Sequence, residues 1–123
     1  VLQASGGHIM TVAAVLFVLA ALGGITMAVI RLRGTPRPPT WLALGHGAIA
    51  ASGVIALSYA TATTEVPTLA QVALGIFVLA ALGGITMFVL FHLQKKALPI
   101  LLVLGHGAIA ATGLVLLLVA MYS

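Results

Sequence analysis

The segment Phe-Val-Leu-Ala-Ala-Leu-Gly-Gly-Ile-Thr-Met occupies residues 17–27 and recurs unchanged at residues 77–87. A second segment, Leu-Gly-His-Gly-Ala-Ile-Ala-Ala, occupies residues 44–51 and recurs at residues 104–111. Both copies are displaced by 60 residues, so the chain contains two tandem repeats. Packed helices tolerate the exchange of apolar side chains of similar volume, yet the repeat retains a histidine in both copies. We therefore expect the repeated histidines to do more than fill space.

The composition around these repeats excludes a soluble fold. Of the 123 residues, 63% are apolar and 5% are charged, whereas about a quarter of an ordinary soluble domain is charged. The mean hydropathy is +1.31 and the sequence pI is about 10.4. Six charged residues in total can cover neither a water-facing surface nor a nucleic-acid-binding face. We predict an integral membrane protein that is surrounded by lipid and has no nucleic-acid partner.

Four apolar stretches are long enough to cross a hydrocarbon core of about 30 Å, which takes roughly 20 helical residues. They cover about residues 7–32, 39–61, 67–94 and 98–122. Backbone polar groups in lipid must be satisfied internally, and the alternating polarity of a membrane strand is absent, so we predict four helices. The whole chain, residues 1–123, is predicted to form one transmembrane domain, with the two repeats at about 7–61 and 67–121.

Short connections between the spans determine the topology. Connections of this length force neighbouring helices into an up-down-up-down order. Each repeat contains two spans, so the two repeats point the same way and are related by a pseudo-two-fold axis along the membrane normal. The predicted fold class is therefore all-α, an integral membrane four-helix bundle built from two parallel tandem repeats.

The distribution of charge predicts the orientation. All basic residues fall in or beside the first and third connections: Arg31, Arg33, Arg37, Lys95 and Lys96. Both termini and Glu65 fall on the other side. The positive-inside rule then makes the basic connections, 31–38 and 95–96, cytoplasmic and leaves both termini on the outer side. A bacterial inner membrane is the expected location.

His46 and His106 are equivalent in the repeat, and glycines flank each of them. At 1.5 Å per residue from the predicted helix starts, they lie about 10 to 12 Å into the membrane. Ionisable residues at that depth are costly, usually face the bundle interior and mark functional sites. The second and fourth spans run parallel, so we expect both imidazoles at one level on opposite sides of the axis.

Gly-Gly pairs on the neighbouring spans share this depth. Gly23 and Gly24 precede Arg31 by seven or eight residues, which is about 11 to 12 Å from the same interface. Their copies are Gly83 and Gly84. Bare backbone beside two facing imidazoles leaves space for a flat ligand. On the histidine face, Gly53 and its copy Gly113 continue the run of small residues.

One haem b fits this arrangement, because neutral imidazole is a standard axial ligand of haem iron. We predict His46 and His106 as the iron ligands, between the second and fourth spans and near the cytoplasmic side. Helical spacing from the glycines reaches Arg31 in one half and Lys95 in the other, where each could bind a haem propionate. A second haem, near the outer face, would need His8 with Met10, with Met121 or with no second ligand, and we do not expect it.

The pattern resembles the broad class of small four-helix membrane b-type cytochromes, through its Gly-His-Gly and Gly-Gly segments. The resemblance implies haem held between histidines on neighbouring spans, glycines where the porphyrin edge approaches, and one-electron transfer to a redox partner or within a larger membrane complex. Members that carry electrons across the membrane usually have a histidine pair near each face. This chain has a single pair, which argues against transmembrane transfer by the chain alone.

The residues leave other interpretations open. The histidines could be packing groups that hydrogen-bond across the helices of an accessory or structural subunit. They could also bind (bacterio)chlorophyll, which takes one axial histidine. A small transporter built on parallel repeats is disfavoured because no charged group lies at the midplane. A homo-oligomer is compatible with every one of these interpretations.

The remaining polar residues carry no signature of an enzyme. No carboxylate lies within a span, and the spacings of a metal hydrolase or a phosphate-binding glycine loop are absent. The chain has no cysteine, which excludes disulfides and thiolate metal sites. His8 and His92 have no copy in the repeat and are interpreted as interfacial histidines. We expect an electron carrier, or a subunit of an oxidoreductase complex, rather than an enzyme in its own right.

Overall fold

The computed structural model describes residues 2–123, with side chains described from Gly7 onward. Four α-helices follow one another along the chain: α1 (Leu2–Leu32), α2 (Thr40–Thr63), α3 (Thr68–Met87) and α4 (Ile100–Tyr122). α3 runs directly into a π-helical turn, Phe88–His92. Within residues 2–123 there is no strand. All four helices are long and apolar enough to cross a membrane, which confirms the prediction of four membrane-length helices.

Prolines define three of the four helix starts. Pro39, Pro67 and Pro99 directly precede the first helical residues of α2, α3 and α4, with φ values of −56°, −58° and −62°. A proline ring holds φ near this value, and its missing N–H costs nothing where a helix offers no partner. The same residue type therefore ends each connection and sets the direction in which the next helix leaves it.

The two helical stretches that end near the basic residues are capped alike but not at equivalent positions. After α1, Gly34 adopts a φ of 107° and the N–H of Thr35 bonds to the carbonyl of Ile30. After the π-helical turn, Lys95 adopts a φ of 57° and the N–H of Lys96 bonds to the carbonyl of Phe91. Both are Schellman caps. The left-handed residues are 61 positions apart (95 minus 34), whereas the repeat copies are 60 apart.

The extra position is taken up by the π-helical turn. Its N–H to carbonyl bonds span five residues, as between Leu93 and Phe88 at 2.8 Å, so the turn holds one residue more than an α-helical turn. Residues beyond it are rotated around the helix relative to the first repeat. His92 is consequently buried, although its repeat counterpart Leu32 is 53% exposed.

The helices pack in a closed order around a shared interior. The most extensive contacts join α1 to α2 and α3 to α4, and smaller contacts join α1 to α4 and α2 to α3. α1 and α3 therefore lie diagonally opposite each other, and so do α2 and α4. The two connections that carry the basic residues also touch, because the N–H of Leu98 bonds to the carbonyl of Pro36 at 3.0 Å. We call this end of the molecule the basic end and the other the Glu65 end.

The core lies toward the Glu65 end. Phe17 and Phe77, on the diagonal between α1 and α3, stack with ring centroids 3.6 Å apart and planes 6° apart. Gly53 and Gly113 lie against these rings, where an added Cβ would come within 2.9 Å of Phe17 and 3.1 Å of Phe77. We call these four residues the phenylalanine layer. Fully buried residues continue from it on all four helices: Ala13, Leu57, Ala60, Ala70, Ala73 and Leu117.

The outer surface of the helices is apolar. Valine, leucine and isoleucine side chains are exposed along each helix, as expected for a surface that contacts lipid rather than water. Several hydroxyl groups on this surface bond within their own helices: Thr26 donates to the carbonyl of Leu22 and Thr86 to that of Leu82, both at 2.8 Å. These hydroxyl groups thus need no partner from outside the helix.

Candidate functional site

The candidate site is centred on the repeated histidines. His46 on α2 and His106 on α4 lie on the second diagonal, with ring centroids 6.2 Å apart and planes 78° apart. Both side chains are half-buried. The structure thus brings together two side chains that are 60 residues apart in the sequence and identical in their local context.

Each imidazole packs on a glycine of its own repeat. An added Cβ at Gly24 would lie 3.2 Å from Cε1 of His46, and an added Cβ at Gly84 would lie 3.2 Å from Cε1 of His106. We call these four residues the histidine layer. Gly23 and Gly83 are slightly further away, with nearest added-Cβ distances of 3.7 and 3.8 Å to their histidine rings. The absence of side chains at these positions therefore admits the imidazoles themselves.

A backbone carbonyl orients one of the two rings. Nδ1 of His46 lies 2.7 Å from the carbonyl oxygen of Ala20 on α1. A carbonyl can only accept, so Nδ1 carries the proton and Nε2 keeps its lone pair. This is the hydrogen bond that metal-binding histidines commonly make with their second nitrogen. Sequence reasoning missed Ala20, because nothing in an alanine signals the use of its backbone oxygen.

The second ring is held less well. Nδ1 of His106 is buried and makes no hydrogen bond of acceptable geometry, although the carbonyl of Ala80, the copy of Ala20, is its backbone neighbour. A buried polar atom without a partner is uncommon and costly. The two copies of the site thus share their residues and differ in how firmly the imidazole is fixed.

The two imidazoles are close neighbours. Their centroids lie 6.2 Å apart with the ring planes at 78°, and imidazole nitrogen is a common metal ligand. Among the described residues no group of three or more histidine, cysteine or acidic side chains could hold a metal ion. An ion at the histidines would therefore take its remaining ligands from outside the protein, as haem iron does.

The other predicted site residues lie elsewhere. Gly53 and Gly113 belong to the phenylalanine layer rather than to the histidine layer. Arg31 is half-buried, and its Nε donates a 2.7 Å hydrogen bond to the carbonyl of Leu98. Lys95 is exposed and lies in the cap after the π-helical turn. Arg31 thus joins the two halves of the basic end, and a role of either cation in binding propionates stays a prediction.

His92 makes an interaction that the sequence did not suggest. Its Nε2 lies 3.0 Å from the hydroxyl oxygen of Thr40 at the start of α2, and its ring stacks on Phe88 with centroids 5.0 Å apart. It lies at the basic end, where an interfacial histidine is expected, and it is 7% exposed. The π-helical turn explains this burial, because an unbroken α-helix would place His92 on the face where its repeat counterpart Leu32 is exposed.

Comparison with protein-family models, curated proteins and solved structures finds no match to this chain.

Proposed function

We propose that this chain is a membrane b-type haem protein that takes part in one-electron transfer. His46 and His106 would hold one haem b between α2 and α4, and haem supplies reversible exchange of one electron between ferric and ferrous iron. The observation that carries the proposal is the pair of repeat-equivalent imidazoles 6.2 Å apart. A redox partner or a larger membrane complex would supply and accept the electron.

Several features of the chain support this assignment. The Ala20 carbonyl keeps the lone pair of His46 on Nε2, the nitrogen that remains free to bind iron. Gly24 and Gly84 let the imidazoles approach the neighbouring helices without a steric clash. Neutral imidazole is the form that binds a metal. We interpret the matched histidine and phenylalanine pairs as the two sides of a pseudo-two-fold four-helix bundle.

The competing interpretation is an accessory subunit whose histidines only pack. The hydrogen bond between His46 and the Ala20 carbonyl favours it, because that bond ties α2 to α1 without any cofactor. Such interhelical bonds in membranes contribute about 0.6 kcal/mol each. At His106 the corresponding bond is weaker, because Nδ1 has the carbonyl of Ala80 as its backbone neighbour but makes no hydrogen bond of acceptable geometry.

A visible spectrum of the purified 123-residue chain, expressed with haem supplied, decides between these functions. We expect a reduced-minus-oxidised Soret change typical of six-coordinate, low-spin haem. His46→Ala and His106→Ala should each abolish it, whereas His8→Ala and His92→Ala should leave it unchanged. A low-spin spectrum that survives either of the first two substitutions would show that the ligand pair is wrong. A chlorophyll spectrum would indicate a pigment subunit, and a colourless wild-type protein the accessory subunit.

We further propose that the basic end is cytoplasmic and that both termini face outward. The motivation is the placement of all five Lys/Arg at one end. The chain has no cysteine, so single cysteines at the exposed positions Thr35 and Thr63 report on the two ends without background. An impermeant thiol reagent added to intact cells should label the Thr63 site only. Labelling of the Thr35 site instead would reverse the orientation.

A further inference from the structure

The basic end carries charge of one sign only. All five lysine and arginine residues of the sequence lie there, and its single acidic residue, Glu65, lies in the connection at the opposite end. The exposed cations are Arg33, Lys95 and Lys96, and the half-buried ones are Arg31 and Arg37. No acidic side chain of the chain can therefore neutralise these cations, which leaves them available to an anionic partner.

Hydrogen bonds hold the two basic connections together as one surface. The N–H of Leu98 bonds to the carbonyl of Pro36 at 3.0 Å, and Nε of Arg31 donates to the carbonyl of Leu98 at 2.7 Å. Orientation in a membrane depends on the number of cations beside the spans and requires no contact between the loops that carry them. The positive-inside rule therefore accounts for the charges but not for their being held together.

Lys95 occupies a backbone position that usually belongs to glycine. Its φ is 57°, in the left-handed region, whereas the cap after α1 uses Gly34 at the corresponding place. Side chains are disfavoured in this region, and residues held there cluster at functional sites. A cation at the neighbouring position, as in Lys96, would serve membrane orientation equally well. Lys95 is thus kept against the local backbone preference, which favours a contact outside the chain.

The first connection lies on the aqueous side of the helix ends. Trp41, in the first turn of α2, is 74% exposed, and tryptophan at such a place is typical of the membrane–water interface. Arg37 precedes it by four residues. Pro39, with φ −56° and ψ 140°, has the polyproline conformation, which advances about 3 Å per residue. The connection therefore extends beyond the level of Trp41, where its cations face water-soluble partners rather than the lipid around the helices.

We propose that the basic end is the docking surface of an acidic, water-soluble protein that exchanges electrons with this chain. The redox role of the partner rests on the proposed haem function, whereas the surface itself does not. His46 lies six residues after Thr40, the first residue of α2, which is about 9 Å of helical rise. A partner on this surface is therefore close to the histidine layer.

The exchange transfers one electron between the partner's one-electron centre and the proposed haem iron. One centre is oxidised and the other reduced, no bond forms or breaks, and no proton is required. Electron-transfer encounters bury little area, so an open, charged surface without a deep pocket suits them. Opposite charges on the two proteins speed the encounter, and salt screens the attraction.

The binding test uses the purified 123-residue chain in phosphatidylcholine nanodiscs and a fluorescent decaglutamate peptide as the acidic probe, with decalysine as the control. We expect saturable binding of decaglutamate only. It should weaken as the ionic strength rises from about 0.01 to about 0.15 M, because the Debye length falls from about 30 to about 8 Å. No saturable binding at the lower ionic strength would overturn the docking surface. Displacement of the peptide by equimolar dioctanoyl phosphatidylglycerol, and not by dioctanoyl phosphatidylcholine, would indicate a lipid headgroup site and overturn the protein partner.

One variant in each connection tests whether the surface is shared. Arg33→Gln and Lys95→Gln should each lower the affinity for decaglutamate about two- to fivefold at the lower ionic strength, as for exposed ion pairs. The double variant should show the product of the two losses. Glu65→Gln, at the opposite end, is the control and should leave the affinity unchanged. A loss in only one of the single variants would mean that one connection binds alone, which overturns the joined surface.

Lys95→Gly separates a docking role from a structural one. Glycine removes the charge and relieves the left-handed backbone, so the melting temperature should rise while the affinity falls as in Lys95→Gln. Lys96→Gly is the matched control at a position that is not left-handed, and it should lower the affinity without raising the melting temperature. A lower melting temperature in Lys95→Gly would show that the lysine serves the fold, and unchanged affinity would exclude it from docking.

Stopped-flow oxidation of the dithionite-reduced, haem-loaded chain tests the redox role. Anionic ferricyanide and cationic tris(bipyridine)cobalt(III) each accept one electron. Rising ionic strength should slow the reaction with ferricyanide and speed the reaction with the cobalt complex, because salt screens the positive surface. The opposite dependence would overturn the basic end as the place of electron exchange.

The two proposals fail in different ways. A chain that takes up no haem but still binds decaglutamate would overturn the proposed function and the redox role of the partner, and would keep the docking surface. A haem-loaded chain that does not bind decaglutamate would overturn the docking surface and keep the haem.

Discussion

The two ends of the molecule use the same repeat in different ways. At the Glu65 end the copies behave alike: Ala13 and Ala73 are both fully buried, and so are Leu57 and Leu117. At the basic end the copies differ, since His92 is buried where Leu32 is exposed. The histidine layer lies between these two ends. Its residues are matched, but Nδ1 of His46 makes a hydrogen bond and Nδ1 of His106 does not. Buried apolar residues thus fill the interior in matched pairs at the Glu65 end, whereas polar contacts at the basic end make the two halves distinct.

The largest effect on stability is expected from substitutions in the phenylalanine layer, toward the Glu65 end. Phe17→Ala removes one ring of the stacked pair and leaves a cavity, so we expect unfolding to become easier by roughly 3 kcal/mol. Phe77→Ala should cost the same, because its environment is matched. Reversible unfolding in mixed micelles gives the free energy. Val18→Ala, at an exposed neighbouring position, is the control and should stay within about 0.5 kcal/mol. Equal losses of unfolding free energy in Phe17→Ala and Val18→Ala would contradict the role of the phenylalanine layer as the packed core of the Glu65 end.

A leucine in the histidine layer should act on binding of the proposed haem rather than on folding. Gly24→Leu drives a side chain into the space that Cε1 of His46 occupies, so the ring must leave its position. We expect haem affinity to fall about 10- to 100-fold, as when a metal ligand loses its orienting contact. Gly47→Leu is the matched control, since an added Cβ there meets nothing within 4 Å. Haem per protein, measured by the absorbance of both variants, should separate them. Full occupancy in Gly24→Leu would contradict the assigned site.

The smallest effect is expected for the polar contact between His92 and Thr40, one of those that join the halves at the basic end. A double-mutant cycle of His92→Leu and Thr40→Val isolates the bond between these side chains. Its coupling energy should be about 0.6 kcal/mol, the average for such bonds in membrane proteins. The haem spectrum should not change in any member of the cycle. A coupling energy near zero would mean that the π-helical turn buries His92 without using this bond.

The features that follow from hydropathy and depth could be predicted from the sequence. Four apolar stretches of membrane length predicted four membrane-length helices, and the structure has them. Counting back from Arg31 predicted that Gly24 lies at the level of His46, and Gly24 lies beside that ring. Helical rise is nearly constant, so such counts hold over two or three turns.

Features that depend on tertiary contacts could not be read in this way. Gly53 shares the helical face of His46, but seven residues advance the helix by about 10 Å, which brings it to the phenylalanine layer instead. The π-helical turn has no signature in Phe-Val-Leu-Phe-His, and it places His92 against Thr40, a residue 52 positions away in the chain. The count from Gly84 to Lys95 assumes an unbroken α-helix, and the turn at Phe88 interrupts it.

One additional residue in the π-helical turn also decides how the molecule can be approached from outside. A strictly duplicated chain would present two interchangeable faces at its basic end, and a visiting molecule could dock in either of two orientations. Here Arg31 reaches across to the carbonyl of Leu98 on one side, while His92 reaches across to Thr40 on the other. The two faces are therefore chemically different, and a molecule that binds one of them would find one such face per chain. The basic end is thus asymmetric, although it is built from two copies of one repeat.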